Sequence, residues 1–162
     1  MISGKSSDSG IIDYVENGNF DAVTLDVESL DHDDKWNEPM IAFSLTFSEV
    51  SDEVLGEFPT FAYCVESVDE EHLLLSKLKD ILGKIRNGTK LVGHNIESEH
   101  GGGLGKIPSY SDGYDIPKIL SRSAENGIVM EGLKDFDTFD TISIAFDLFR
   151  HKDHDLTYRS RR

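Results

Sequence analysis

Residues 21–29 read DAVTLDVES, and the reading of this stretch decides the fold. It is rich in Val, Thr and Leu and alternates in part, as a β-strand does when successive side chains point to opposite faces. Asp26 and Glu28 then share one face, while Leu25 and Val27 point the other way. Outward from here, residues 30–39, LDHDDKWNEP, form a polar loop ending in Pro39. Residues 40–48, MIAFSLTFS, read as a second strand and residues 58–65, FPTFAYCV, as a third. Short loops between three successive strands favour an antiparallel meander.

Beyond the third strand the period changes. From Asp69 to Arg86, the apolar residues Leu74, Leu78, Ile81, Leu82 and Ile85 fall on one helical face. Ser67 and Glu70 have capping-box spacing before this helix, and Asn87-Gly88 is a stop signal after it. Residues 90–93, KLVG, suit a short buried strand. Residues 96–113 form a loop containing Gly101, Gly102, Gly103, Gly105 and Gly113. A helix is expected from near Tyr114, through Ile119 and Leu120, to about Asn126. A short strand follows at 135–139, then an apolar helix at 141–149 with Asp140 as its N-cap.

The order β-β-β-α-β-α-β-α defines an α/β protein. Three antiparallel strands come first, and right-handed crossovers then add parallel ones. The expected product is a mixed five-stranded sheet flanked by helices, with the first strand central and next to the fourth. Residues 1–10 are polar and Ser/Gly-rich and are expected to be flexible. Residues 11–162 make up the domain.

The chain's 162 residues suffice for one domain with a real core. No apolar run approaches the ~20 residues that span a bilayer, and the first ten residues lack the apolar core of a signal peptide. Cys64 is the only cysteine, so no internal disulfide forms. These features point to a cytoplasmic protein. The formal net charge of −15, from 31 acidic and 16 basic residues, argues against a nonspecific nucleic-acid coating protein. It leaves room for a nuclease, whose site carboxylates hold the cations that meet the phosphate. Residues 150–162 are locally basic, which suits either phosphate contact or a solvated terminus.

Two carboxylates side by side at the middle of a sheet repel and are costly to desolvate, and a divalent cation relieves both problems. Oxygen ligands suit Mg2+ or Mn2+. The same pattern also describes a strand with one solvent-facing side. A second element, GHN at Gly93 to Asn95, directly follows the fourth strand, where open α/β sheets place their sites. A third, GYDIPKIL at Gly113 to Leu120, sets Asp115 at a helix start, where it is either a functional acid or a simple N-cap.

Together VTLDVES, LVGHN and GYDIPKIL resemble the DEDD superfamily of 3′-5′ exonucleases, most closely the proofreading exonuclease domain of family B DNA polymerases. The FDTFDT at residues 136–141 resembles a later strand of that family. The similarity extends over roughly residues 20–158. It implies a ribonuclease H-like fold and two-metal hydrolysis of phosphodiester bonds at a single-stranded 3′ end of DNA or RNA. It further implies that Asp26, Glu28 and Asp115 are the catalytic and metal-binding acids. Asn95, Ser29 and Tyr114 would be substrate-binding residues, and Mg2+ or Mn2+ the cofactor, as two ions if a fourth acid is present.

The chain departs from that family in two places. Residues 96–113 separate Asn95 from Tyr114, where the family has only a few residues. Glu97 and Glu99 in this insertion compete with Asp115 for its role, although the helix and Pro117 following Asp115 favour it. The family's last acid, in Tyr-x-x-x-Asp or His-x-x-x-x-Asp, is not matched, because Arg162 lies four residues after Tyr158 and Leu156 five after His151. Either the chain is cut short before that ligand or the ligand is lost; Asp147 and Asp155 are substitutes that no spacing selects. The alternative is thus a catalytically degenerate ribonuclease H-like module that binds nucleic acid or protein. An acidic interaction domain unrelated to nucleases is a third reading. DHDD at Asp31 to Asp34 lacks the Gly and terminal Glu of an EF-hand. HKDH at residues 151–154 fits a polar surface as well as a transition-metal site. Gly105-Lys106 is followed by Ile107, so no nucleotide-binding P-loop is present.

Overall fold

The structure is a computed structural model and describes residues 8–30, 38–48, 58–94, 96 and 115–141. These residues build strands β1 (Ala22–Ser29), β2 (Met40–Ser48), β3 (Thr60–Cys64), β4 (Lys90–Gly93) and β5 (Asp137–Asp140). The helices are α1 (Asp8–Asn17), α2 (Glu71–Leu82) and α3 (Asp115–Glu125), with 3-10 turns at Val68–Glu70 and Leu133–Asp135. The sheet order is β3-β2-β1-β4-β5. β2 runs antiparallel to β1 and β3, whereas β4 runs parallel to β1 and β5. This is the mixed five-stranded α/β sheet expected from the element order, with β1 central beside β4. No helix among the described residues is long and apolar enough to cross a membrane.

Alternation explains the layering. Val23, Leu25 and Val27 of β1 and Phe43, Leu45 and Phe47 of β2 are buried on one face. They meet Leu74, Leu75, Leu78 and Ile81 of α2, which packs against β2, and Ile119 of α3. Each such side chain contributes about 1.5–3 kcal/mol of transfer free energy. The alternation breaks at the start of β2. Glu28 pairs with Ala42 but Ser29 pairs with Met40, so Ile41 is an extra residue in a β-bulge. The bulge swings Met40 into the core, where it is fully buried. Bulges bend a strand locally and are common beside functional sites.

The ends of α2 differ from the sequence expectation. Ser67 Oγ accepts the Asp69 N–H at 3.3 Å, and Glu70 Oε2 accepts the Glu66 N–H at 3.2 Å. These bonds go to the Asp69 and Glu66 N–H groups rather than closing the reciprocal Ser67–Glu70 capping box, and they open a 3-10 turn that the α-helix follows. The regular helix stops at Leu82, short of Asn87-Gly88. Lys84 N–H and Ile85 N–H instead bond three residues back, to Ile81 and Leu82 carbonyls. Such bonds tighten the last turn and still deliver Ile85 to the core. Gly88, at φ +93°, then turns the chain into β4.

Two further differences concern the ends of the chain. Helix α1 has no counterpart in the sequence reading, and its first turn overlaps the segment assigned as flexible. Ile11 and Val15, one helical turn apart, are buried. Tyr14 meets the rings of Phe20 and Phe47 at 5.2 and 5.6 Å between centroids. The Ser9-Gly10 start hides this helix, because both residues are weak helix formers. β5 sits at 137–140 rather than 135–139, since Leu133–Asp135 form a 3-10 turn that buries Leu133. Of the final helix expected at 141–149, only Thr141 lies within the described residues, and it is helical.

Candidate functional site

Asp26 and Glu28 are exposed on one face of β1, and Leu25 and Val27 are buried on the other. Pairing of β1 with β4 runs only from Ala22 to Thr24, so both carboxylates stand beyond it, at the carboxyl ends of the parallel strands. Their partners across β2 are the small residues Ser44 and Ala42. Asp140 is the last residue of β5 and is level with Gly93, the last of β4. The start of α3 comes to this same end of the sheet: Ile116 N–H donates to the Ile96 carbonyl at 3.1 Å, just past β4, and α3 touches β1.

Asp115 opens α3 and is only 4% exposed. Its Oδ2 is buried without a hydrogen-bond partner among the described residues. Burial, followed by the charges of Asp26, Asp140 and Glu28, pushes its carboxyl up from 3.8 to about 8. β1, α3 and β5 therefore bring four carboxyl groups into one electrostatic neighbourhood. Among the described residues, no three His, Cys, Asp or Glu side chains are grouped closely enough to hold a metal ion as they stand. The two facts agree, because charges couple over many ångströms whereas cation ligands must approach to roughly 2–2.6 Å. Asp26 and Glu28, the members of the group on β1, are exposed. The unsatisfied Oδ2 of Asp115 is an oxygen donor of the kind a hard divalent cation takes.

The GHN turn is tied to the end of β5. Thr141 Oγ1 donates to the Gly93 carbonyl at 3.0 Å, and His94 Nδ1 lies 3.1 Å from the same hydroxyl. A hydroxyl has one proton to donate, so with that proton on the Gly93 carbonyl it accepts from His94 Nδ1–H. Gly93 itself is constrained, since a Cβ there would sit 2.7 Å from Ile96 Cβ and 2.8 Å from its Cδ1. Gly93→Ala is expected to cost about 1–3 kcal/mol by overpacking. Urea denaturation checks this, and a loss below about 0.5 kcal/mol would show that the turn yields freely.

Of the residues chosen from sequence, Asp26, Glu28 and Asp115 lie at one end of the sheet without forming a ready ligand group. Ser29, half-buried, is the last residue of β1, opposite Met40 across the bulge. Asn95 and Tyr114 lie outside the described residues, as do Glu97, Glu99, Asp147, Asp155, the DHDD loop and the HKDH histidines. Asp140 was missed as a member of this cluster. As the residue before an apolar run it read only as an N-cap, and its level with Gly93 is visible only once β5 pairs with β4.

Fold and site together define an α/β domain with several carboxylates around a buried aspartate. No protein-family model matches the chain, and no curated protein matches it.

Proposed function

We propose that this domain is a metal-dependent 3′-5′ exonuclease of the ribonuclease H-like class. It would hydrolyse phosphodiester bonds at a single-stranded 3′ end of DNA or RNA, with Mg2+ or Mn2+ as cofactor, in the cytoplasm. The observation that carries the reading is Asp115, a buried acid with an oxygen unsatisfied among the described residues and a carboxyl that feels the charges of Asp26, Asp140 and Glu28. Such a costly arrangement is a mark of a functional site. Strand order adds support, because the DxE pair lies on the central strand and Asp115 follows β4.

Asp26, Glu28 and Asp115 are the proposed ligands, and Asp140 is the candidate for the fourth acid. When bound, the ions would supply Lewis-acid stabilisation of the phosphoryl oxygens and lower the pKa of an attacking water. The protein's own share is to hold these oxygens at the carboxyl end of the sheet and to present the cluster beside β1's small neighbours Ser44 and Ala42. Ser29, Asn95 and Tyr114 are the proposed contacts to the terminal nucleotide.

Asp26→Asn is expected to abolish Mn2+-dependent release of mononucleotides from a 3′-labelled single strand, scored by gel electrophoresis. Undiminished release by this variant would defeat the proposal. A second reading, a non-catalytic module on the same fold, is favoured by the absence of a ready-grouped ligand set among the described residues. Binding of an oligonucleotide or protein by the wild type, without release of nucleotides in Mn2+, would select it.

A further inference from the structure

Glu71, in the first turn of α2, and Arg122 of α3 form a buried ion pair, 3% and 8% exposed. Glu71 Oε1 accepts the Met40 backbone N–H at 2.7 Å and Arg122 Nε–H at 2.9 Å. Its Oε2 accepts Arg122 Nη2 at 2.6 Å and Asn126 Nδ2 at 2.9 Å. The remaining Arg122 nitrogen, Nη1, donates to Glu125. Burial pushes the Glu71 carboxyl up, but the hydrogen bonds from Arg122, Met40 and Asn126, with the charge of Arg122, outweigh it and hold the group below its usual range. The carboxylate of α2 thus satisfies four donors, from β2, from α3 and from Asn126 just after α3.

Where those elements lead gives the pair its importance. Met40 lies opposite Ser29 across the bulge, next to Glu28. Arg122 lies on the face of α3 that also carries Ile119 and, two turns back, Asp115, since positions i, i+4 and i+7 align. One carboxylate therefore links β2, at the residue opposite the end of the DxE strand, to the helix that opens with Asp115. Stability alone does not demand an ion pair here, because apolar residues of similar volume commonly do as well or better in such sites. A forked guanidinium on a carboxylate admits one relative placement of its two elements, whereas apolar surfaces slide.

We infer that Glu71 and Arg122 are positioning residues that set the separation between the Asp26 and Glu28 carboxylates and Asp115. The inference rests on reading the acidic cluster as a metal site, and its test separates the two ideas. Mn2+ titration calorimetry without nucleic acid, thermal melting and steady-state release from a 3′-labelled strand are compared for the full wild-type chain, Glu71→Gln and Arg122→Lys. Arg122→Lys keeps the charge but loses the fork, and it decides the question should Glu71→Gln not fold. The expected result is a folded variant with Mn2+ affinity reduced about tenfold or more. A fall in kcat at unchanged KM for the oligonucleotide should accompany it. Lower melting temperature with Mn2+ affinity within about twofold of wild type would overturn the inference and leave the metal reading intact. Absence of Mn2+ binding by the wild type would overturn the metal reading, and the inference with it.

Discussion

Replacing Asp115 by Asn is expected to stabilise the folded chain at alkaline pH and to remove its proposed activity. The cause is the carboxyl group pushed from 3.8 to about 8 by burial and by the charges of Asp26, Asp140 and Glu28. A raised carboxyl means that the folded state holds a proton which the unfolded state has released. Between the two values the folded chain binds more protons, so stability falls as pH rises. The favourable contribution is complete below about pH 4 and is lost as pH rises to about 8. At about 1.4 kcal/mol per pH unit, the full loss is on the order of 3–5 kcal/mol, allowing for movement of the exposed Asp26 and Glu28. Asn keeps the shape and cannot ionise, so its urea denaturation profile should lack this slope. Mn2+ should restore alkaline stability to the wild type and leave Asp115→Asn unchanged. Parallel pH profiles of the two proteins would show that Asp115 is not held protonated by its surroundings.

The second large effect is expected at Arg122. Truncating it to Met removes the forked partner of a carboxylate that stays buried and retains only the Met40 and Asn126 donors. Leaving a buried charge without its counter-charge costs about 3–5 kcal/mol. The loss should shrink when Glu71→Leu is added, because the double replacement removes both charges, although Met40 N–H then lacks its acceptor. A double-mutant cycle by chemical denaturation gives the coupling directly. Additive losses would mean that the pair contributes nothing beyond its separate contacts. The pH sign at Glu71 is opposite to that at Asp115. Its carboxyl is lowered, so its contribution is present above the unfolded value of 4.5 and disappears as pH falls through the folded one.

These two carboxyl groups show how one helix serves two purposes. The first residue of α3 carries an acid whose charge is disfavoured, and its seventh-following residue anchors an acid whose charge is fully compensated. The compensated pair is tied to the first residue of β2, and the uncompensated group sits where a cation would be welcome. Stability lost at Asp115 in exchange for a chemically useful site is the pattern found where activity depends on strained or destabilised groups.

Much of this was readable in the sequence. Alternation in DAVTLDVES put Asp26 and Glu28 on one face, and the change from period two to period 3.6 near residue 69 separated meander from crossovers. Order and connection length then placed β1 in the middle beside β4. Helix propensity and proline position set the start of α3 at Asp115. These are local properties, written in spacing and backbone preference over a few residues. The tertiary structure alone decided the rest: the burial of Asp115, the arrival of Asp140 beside it, the bulge at Ile41, and the bridge from Glu71 to Met40 and Arg122. Each depends on residues distant in the chain meeting at one point. A single sequence specifies which face a side chain takes, but the dielectric and the partners around it exist only after the sheet and helices have packed.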